Sequence, residues 1–364
     1  MLMSGGTGFL MSRLAKQFLE EGHEIFFLVR PTNDTSPEER MRQQLGDFKC
    51  NQWHVIVGDT TQSLWGIEKN DLDKLKGEVT EVWHGAALVR FDSSKKYLAN
   101  STNIEGTRHA LEVAEYLQAP LHYISTAYIA REDSRHRAYE TQECRMNPRN
   151  IYEETKCNAE LLIHQWQEAG KGTAVIYRPA ILIGDSRTGE AQGFTGYYMV
   201  ARFFVELKTR RLVLFIPYVW GARLNLIPVN WAVDLITQIS AHSEAHGKIF
   251  HITNPHPPLL RFLFHHAITY FHLNGVFLLP MPVTLLRASA LFFDHLFALI
   301  PLRSFRHMRK QFLFYLPYFA GDPSFLQRNV KKILKNNIPP ITITKEILDR
   351  CLDYAIAHNF GINQ

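Results

Sequence analysis

The first half of the chain alternates short apolar runs with longer segments whose apolar residues recur at helical spacing. Short apolar runs bounded by turn residues predict buried strands, and helical periodicity predicts amphipathic helices. Strands are predicted at 1–3, 24–30, 54–57, 81–84, 121–124 and 174–177. Helices are predicted after Gly8 and at 38–48, 71–76, 103–117 and 152–168. This alternation predicts an α/β fold, a Rossmann-type doubly wound parallel sheet with ligands at the carboxyl ends of its strands.

The pattern changes after Gly184. A helix is predicted at 193–208, a short strand at 224–229, a helix at 231–241 and a strand at 248–253. We therefore expect a dinucleotide-binding Rossmann domain over 1–190. Residues 191–364 are expected to form a smaller, mainly helical substrate-binding subdomain, with some strands returning to the main sheet.

Residues 275–302 form the most apolar stretch of the chain. Pro280, Pro282, Arg287, Asp294 and His295 interrupt it. No uncharged run is therefore long enough to cross a bilayer, which needs roughly 18 residues or more. Three interpretations remain open: a helical lid over an apolar pocket, an amphipathic helix that touches a membrane peripherally, and a buried core helix.

A glycine-rich stretch, 4–11, joins the first predicted strand to the first predicted helix. Its glycines allow a tight turn and a close backbone approach to a pyrophosphate at the helix N-terminus. The candidates for binding a dinucleotide in this stretch are Gly5, Thr7, Gly8, Phe9 and Leu10. Met11 stands where a third glycine is usual. We expect its side chain to lie along the helix surface or to push the helix outward, so that either the pocket is slightly remodelled or the cofactor affinity is reduced.

Charged residues at two later strand ends bear on which dinucleotide is bound. Arg30 ends the second predicted strand, where a base accepts the 2′-phosphate of NADP and an acid would select NAD. Arg40, early in the next helix, is placed to assist. The sequence therefore favours NADP(H). Asp59 follows the third strand and is a candidate for contact with adenine, although a turn cap explains it equally well.

Tyr152 and Lys156 have the spacing Tyr-x-x-x-Lys. On a helix this spacing places both side chains on one face. An ammonium beside a phenol is expected to lower the pKa of the phenol, which then gives a proton to a developing alkoxide. Ser125 and Thr126 end an earlier strand, and a hydroxyl there is placed to bond a substrate oxygen. His84, also at a strand end, is interpreted as structural rather than as a base.

Composition narrows the function classes. The chain has 364 residues, 46% of them hydrophobic, and a net charge of +5. It is therefore globular and compatible with anionic ligands, but without a Lys/Arg-rich tract it does not resemble a nucleic-acid binder. The four cysteines, Cys50, Cys144, Cys157 and Cys351, lack metal-ligand spacing. We expect free thiols in a cytoplasmic protein, and no metal site.

Together these residues resemble the extended short-chain dehydrogenase/reductase superfamily, and within it the thioester-reductase and fatty acyl-CoA reductase branch. Beyond the glycine stretch, the resemblance is carried by Leu-Val-Arg (28–30), Gly-Asp (58–59), His-Gly-Ala-Ala (84–87), Asn-x-x-Gly-Thr (103–107), Ser-Thr-Ala-Tyr (125–128), Tyr-Glu-Glu-Thr-Lys (152–156), Arg-Pro-x-x-x-x-Gly-Asp-Ser-x-Thr-Gly (178–189) and Pro-Val-Asn-Trp (228–231). It is specific over residues 1 to about 260. The departures are Met11, a first strand that is shorter than usual, and Gly85. At the position of Gly85, asparagine is common in related reductases.

The resemblance implies an NADPH-dependent reductase of acyl thioesters, carried by CoA or by an acyl carrier protein. Thr126, Tyr152 and Lys156 would be the catalytic residues. Besides those named above, the cofactor-binding residues would include Ala86, Ala87, Asn103, Ser125, Pro179 and Ile181. The product would be an aldehyde, or an alcohol after a second round.

Two alternatives remain open at this point. One is another extended reductase or epimerase that acts on a sterol, a flavonoid or a nucleotide sugar. The apolar stretch 275–302 argues against a polar sugar pocket. The other is a non-enzymatic NADP-sensing or scaffold protein, which Met11 favours and the intact Thr126, Tyr152 and Lys156 set opposes.

Overall fold

The chain divides into two compact units. The computed structural model describes residues 1–32, 34–46, 48, 52–89, 91, 95–145, 147–194, 196–208, 214–286 and 316–361. The first unit comprises Met1–Ala180, Ala232–Thr253 and Phe325–Pro339, and the second comprises Ile181–Trp231, Asn254–Ser324 and Pro340–Gln364. The first unit thus ends its longest stretch ten residues before the expected boundary at 190, and later segments return to it.

The helices and strands follow the predicted alternation through the first half of the chain. The strands are β1 (Leu2–Ser4), β2 (Ile25–Val29), β3 (Trp53–Val57), β4 (Val82–His84), β5 (Leu121–Ile124), β6 (Arg137–Ala138), β7 (Ala174–Pro179), β8 (Ile181–Ile183), β9 (Leu214–Val219), β10 (Leu226–Pro228), β11 (Ile249–Ile252), β12 (Val276–Met281) and β13 (Ser324–Phe325). The α-helices are α1 (Phe9–Glu20), α2 (Pro37–Leu45), α3 (Lys69–Leu75), α4 (Lys96–Ala99), α5 (Gly106–Leu117), α6 (Ile151–Glu168), α7 (Tyr197–Lys208), α8 (Val229–Ser240), α9 (Leu260–Tyr270), α10 (Arg328–Ile333) and α11 (Lys345–Ala357). One π-helical turn, Asn100–Glu105, leads into α5.

Seven parallel strands form the sheet of the first unit, in the order β11-β7-β5-β4-β1-β2-β3. The chain moves outward from β1 through β2 to β3, then returns and moves the other way from β4. The strand order therefore reverses between β1 and β4, and Ser4 lies opposite His84 at that point. This confirms the predicted Rossmann-type fold and places the switch point, where such sheets bind ligands, beside the glycine stretch.

The central strands are continuous apolar runs because helices cover both faces of the sheet. β1, β4, β5 and β7 are buried along their whole lengths. On one side their side chains pack with those of α5 and α6 in a single apolar cluster. The return of β11 to the edge beside β7 adds a strand from the second half of the sequence, as expected.

A strand, β12, rather than a helix begins the apolar stretch 275–302. In the second unit β12 pairs in parallel with β9, and β8 pairs in parallel with β10. The expectation of a helix is therefore wrong for β12, where Val276, Phe277 and Leu278 favour strand geometry and the prolines at 280 and 282 oppose a helix. Residues 287–302 lie outside the described residues. Among those that are described, no helix is both long and apolar enough to span a membrane.

A buried ion pair joins α6 to the sheet. Arg178 of β7 donates from Nε to Glu160 Oε1 at 3.0 Å and from Nη2 to Oε2 at 2.6 Å. Both side chains are 0% exposed. Because neither charge reaches water, each depends on the other for compensation.

We therefore predict that Glu160→Gln lowers the free energy of unfolding by about 3 kcal/mol, because it leaves the Arg178 charge buried without a counter-charge. The matched control on the same helix is Glu154→Gln, which breaks an exposed pair with Lys96 and should cost less than about 1 kcal/mol. Urea denaturation of both variants measures the difference. Equal losses in the two variants would contradict this account.

Candidate active site

The glycine turn after β1 forms a cradle with room for backbone only. Gly5 has φ +79°, and a Cβ built on it would lie 2.6 Å from the backbone nitrogen of Ala86. The Gly8 N–H donates to the Gly5 carbonyl at 2.8 Å, which closes the turn. Only glycine therefore fits at position 5, for its backbone conformation and for the closeness of the next loop.

The start of α1 suits an anion. Gly8 is the exposed N-cap, and the first turn of the helix holds no acidic residue. The first-turn N–H groups of a helix have no partner within it and carry partial positive charge. Leu10 is buried and Phe9 is half-buried. Both side chains are apolar, so these two candidates would bind an anion through their backbone N–H groups. The residues present thus fit the pyrophosphate of a dinucleotide.

Met11 contacts the other departure from the family pattern. Its side chain is 2% exposed. A Cβ built on Gly85 would lie 2.3 Å from Met11 Cγ and 2.4 Å from its sulfur. The thioether therefore occupies the space that a side chain at position 85 would need. The missing side chain at position 85 thus makes room for Met11 to pack inward from the helix.

Arg30 and Arg40 meet at the carboxyl end of β2. Arg30 is exposed immediately after the strand. Arg40, in the second turn of α2, donates from Nη1 to the Arg30 carbonyl oxygen at 2.7 Å. Ser36 caps that helix by accepting the N–H of Glu39 at 3.1 Å. A capped helix thus brings a second guanidinium to the strand end that Arg30 follows.

Asp59 caps its own turn. Its Oδ1 accepts from the N–H and from the hydroxyl of Thr61, both at 2.9 Å. The turn-cap interpretation is therefore confirmed. Contact between Asp59 and adenine stays a prediction.

Asn103 positions other parts of the site. Its Oδ1 accepts from Leu88 N–H at 2.7 Å, and its Nδ2 donates to Leu88 O at 3.1 Å and to Thr155 Oγ1 at 2.9 Å. The buried amide thus fixes the loop after β4 to α6. A role in cofactor binding would run through the loop of Ala86 and Ala87, both half-buried, rather than through the amide itself.

Lys156 reaches from α6 to the end of β5. Its Nζ donates to Ile124 O at 2.7 Å and to the Tyr123 hydroxyl at 3.2 Å, and it lies 4.5 Å from the centroid of the Tyr123 ring. The side chain is 2% exposed, and burial lowers its pKa to about 7, with the Glu160 carboxylate opposing. Sequence reasoning missed Tyr123, because a strand's alternation does not reveal which helix residue it faces.

Tyr152 lies one helical turn before Lys156 and is half-buried. Burial raises its pKa above the ordinary value, and the Glu153 carboxylate adds to this. The expected lowering by Lys156 is wrong in this structure, because that lysine is directed to Ile124 and Tyr123 and is itself partly deprotonated near pH 7. Tyr152 is thus a protonated phenol across the neutral range.

The strand end that meets Lys156 also carries two hydroxyls. Ser125 N–H donates to Tyr177 O at 2.7 Å, which fixes the backbone there. Ser125 Oγ is buried and has no partner within the described part of the chain. Thr126 is buried and accepts a long bond, 3.4 Å, from Tyr128 N–H. Buried hydroxyls without strong protein partners are expected where a ligand binds.

His84 is part of the core. Its Nδ1 lies 2.7 Å from Ser4 Oγ, and its ring stacks near Tyr123. Burial, with a contribution from Lys156, lowers its pKa to about 3. The ring therefore stays neutral at physiological pH, which agrees with the structural interpretation.

Pro179 and Ile181 fall in different units. Pro179 ends β7 and is buried in the first unit. Ile181 begins β8 in the second unit, where it lines an apolar cavity whose space, counted together with the solvent at its mouth, is about 490 Å³. The other lining residues are Gly196, Tyr197, Val200, Ala201, Phe204, Leu224, Leu260, Leu263, Phe264, Ala267, Tyr318 and Phe319.

The expectation of free thiols is wrong for two of the four cysteines. Cys144 and Cys157 form a disulfide, with their Cα atoms 5.9 Å apart. Cys351 is a buried free thiol, and Cys50 lies outside the described residues. The pairing depends on how the loop before α6 returns to that helix, which no spacing rule predicts.

Fold and site together define an oxidoreductase of the extended short-chain dehydrogenase/reductase type with a Rossmann-type NAD(P)-binding domain. The family model described as male sterility protein matches residues 3–236. The chain belongs to this family of NAD-binding reductases.

The relatives fall into two groups. The chain is 26% identical, over 70% of its length, to 5% of a linear gramicidin synthase polypeptide from Brevibacillus parabrevis. It is 25% identical, again over 70% of its length, to 57% of fatty acyl-CoA reductase 2 from Homo sapiens. It thus spans less than two thirds of either protein. The terminal R domain from the myxalamid PKS-NRPS biosynthetic pathway shares the fold, with a TM-score of 0.79 and 21% identity over 99% of this chain and 90% of that one.

We predict that Met11 and Gly85 are energetically coupled. Gly85→Ala should lower the free energy of unfolding by about 1–3 kcal/mol, because its methyl group collides with the thioether. In a Met11→Ala background the same change should cost less than about 1 kcal/mol, because the added methyl enters the vacated space. Urea denaturation of the four proteins of this cycle measures the coupling.

The control is Gly106→Ala, where the nearest atoms to a new Cβ, in Thr60, are 3.6 Å away. That change should stay within about 1 kcal/mol of wild type. A loss from Gly85→Ala that is the same in both backgrounds would refute the coupling.

Proposed function

We propose that the chain reduces acyl thioesters to aldehydes with NADPH. The observation that carries the proposal is the meeting of Lys156, the helix of Tyr152 and the Ser125–Thr126 strand end. This group lies at the carboxyl edge of the sheet that also holds the glycine cradle. The family membership supports reductase chemistry, and both groups of relatives support a thioester.

The cofactor would be held by groups at three places. The pyrophosphate would bind the N–H groups after Gly5, the 2′-phosphate would bind Arg30 and Arg40, and Lys156 would hold the nicotinamide ribose. NADPH, when bound, supplies a hydride. Arg30, and the Arg40 guanidinium at its carbonyl oxygen, support NADPH over NADH because a phosphate gains charge-assisted hydrogen bonds from arginine.

Tyr152 and Thr126 would act on the carbonyl oxygen of the substrate. Both hydroxyls donate hydrogen bonds as negative charge develops on that oxygen, which stabilises the transition state. Tyr152 then gives its proton to the oxygen. Its raised pKa suits this role, since the phenol keeps its proton until a strongly basic oxygen forms. The resulting thiohemiacetal breaks its C–S bond, so that an aldehyde and a free thiol leave.

The apolar cavity of the second unit supports an apolar acyl group. No charged side chain is among its described lining residues, and its two polar side chains are tyrosines. An apolar cavity of this kind favours hydrocarbon over a sugar or a charged peptide. CoA and a carrier protein are both candidate thiol carriers. The fatty acyl-CoA reductase relative supports the first, and the likeness to a thiolation-reductase di-domain from an archaeal non-ribosomal peptide synthetase supports the second.

We predict that the wild-type chain oxidises NADPH in the presence of palmitoyl-CoA or the corresponding acyl carrier protein, with aldehyde or alcohol in the extract. Tyr152→Phe should lower turnover by about a hundredfold or more, the usual scale for losing a general acid. The affinity for NADPH, measured by calorimetry, should stay within about twofold because the phenol proton does not bind the cofactor. Turnover that survives in Tyr152→Phe would refute the acid role.

We predict that Arg30→Ala weakens NADPH binding by about ten- to a hundredfold, since a hydrogen bond to a charged group contributes about 1.5–3 kcal/mol. NADH binding should change by less than about twofold, because NADH has no 2′-phosphate. Arg42→Ala, an exposed arginine in the same helix as Arg40, is the control and should leave both affinities unchanged. Equal losses for NADPH and NADH in Arg30→Ala would exclude the 2′-phosphate assignment.

A further inference from the structure

Cys144 is held beside the turn that follows Thr126. It forms an isolated antiparallel bridge with Ala130. The next residue, Arg145, donates its N–H to the Ile129 carbonyl at 2.7 Å, and its guanidinium pairs with Glu132 at 2.5 Å. The backbone around Cys144 is therefore fixed to the segment that leads away from the Ser125–Thr126 strand end.

Cys157 directly follows Lys156 on α6. The disulfide to Cys144 therefore links the turn after Thr126 covalently to the helix that carries Tyr152 and Lys156. The two cysteines are 13 positions apart. The ring that the disulfide closes therefore includes the first two turns of α6. Both cysteines are half-buried rather than enclosed, so a small thiol can reach them.

The start of α6 does not depend on this bond. Asn150 caps the helix by accepting Glu153 N–H at 3.0 Å. Arg149 donates from Nε to Glu153 Oε1 at 2.9 Å, and its guanidinium lies 5.1 Å from the centroid of the Tyr128 ring. Loss of the disulfide would thus remove the covalent link between the turn after Thr126 and α6, while the cap keeps the start of the helix formed.

We propose that Cys144 and Cys157 are a reversible redox site whose disulfide holds the Thr126 turn and the Tyr152–Lys156 helix in their working arrangement. A low-molecular-weight disulfide such as oxidised glutathione is the oxidant. One protein thiolate attacks it, and one glutathione leaves with a proton. The second protein thiolate then displaces the second glutathione from the mixed disulfide. Overall the two thiols lose two electrons and two protons, which two glutathione molecules receive.

The disulfide form is the more active form. Catalytic groups lose rate steeply when their positions vary, so removing the covalent link between the Thr126 turn and α6 should lower kcat/KM by about three- to tenfold. The redox site stands on its own geometry, independent of the substrate proposed above. Both cysteines of the pair are half-buried, and exposed disulfides tend to be the labile, regulatory ones.

The test equilibrates the full chain in glutathione buffers from reducing to oxidising. Mass spectrometry after thiol alkylation reports the state of each cysteine, and limited trypsin digestion reports cleavage after Arg145. We expect Cys144 and Cys157 to pair in a single transition, with slower cleavage and higher turnover in the oxidised form. Cys144→Ser and Cys157→Ser should each match the reduced wild type and lose the response. Cys351→Ala, outside the pair, should keep it.

Two results would overturn the proposal. One is a failure of Cys144 and Cys157 to pair under oxidising conditions. The other is pairing that changes neither the cleavage rate after Arg145 nor the turnover. The pairing and the cleavage need no substrate, so they remain decisive if the chain fails to reduce acyl thioesters, and that failure would count against the proposed function alone.

Discussion

The close approach of two backbone turns underlies the whole first unit. Gly5 lies so near Gly85 and Ala86 that no side chain fits between them at position 5. This contact occurs at the carboxyl ends of the paired strands β1 and β4, where the strand order reverses, so it shapes both the anion cradle and the packing of α1. Met11 belongs to the same constraint, since its thioether fills the space over Gly85. Two departures from the family pattern thereby become one complementary contact.

One helix then connects the cradle's sheet to the candidate chemistry. α6 is fixed at three levels: Thr155 to Asn103, Lys156 to the end of β5, and Glu160 to Arg178. Every one of these contacts is buried, so each polar group needs the partner that it has. These contacts hold α6 against the sheet, and Tyr152 lies on this helix one turn before Lys156. Burial also sets the protonation of the site, because it raises the pKa of Tyr152, which stays protonated, and lowers the pKa of Lys156 to about 7.

The second unit has a different construction. It contains short parallel strand pairs rather than one large sheet, and its apolar cavity is lined by aliphatic and aromatic side chains from α7, α9 and the segment around Tyr318. The family model ends at residue 236, so the cavity draws on residues outside the matched segment as well as within it.

The sequence by itself determined the parts of this protein that local pattern encodes. Alternating apolar runs and helical periodicity gave the order of strands and helices, the Rossmann-type class and the position of the glycine turn, because these depend on neighbours along the chain. The boundaries of β1, α1, α5 and α6 were predicted within a few residues for the same reason. The Tyr-x-x-x-Lys spacing also identified Tyr152 and Lys156 as candidates for chemistry, and the family resemblance added Thr126.

Only the tertiary structure decided which residues face one another. The space over Gly85 that receives Met11, the ring of Tyr123 beneath Lys156, the protein-satisfied amide of Asn103 and the Cys144–Cys157 bond all join positions far apart in sequence or across a loop. The strand at β12 is a similar case, because its apolar residues suit a strand or a helix and pairing with β9 settled the choice. Burial is likewise a property of the folded chain, so the direction in which the Tyr152 pKa moves was fixed by packing rather than by the spacing of Tyr152 and Lys156.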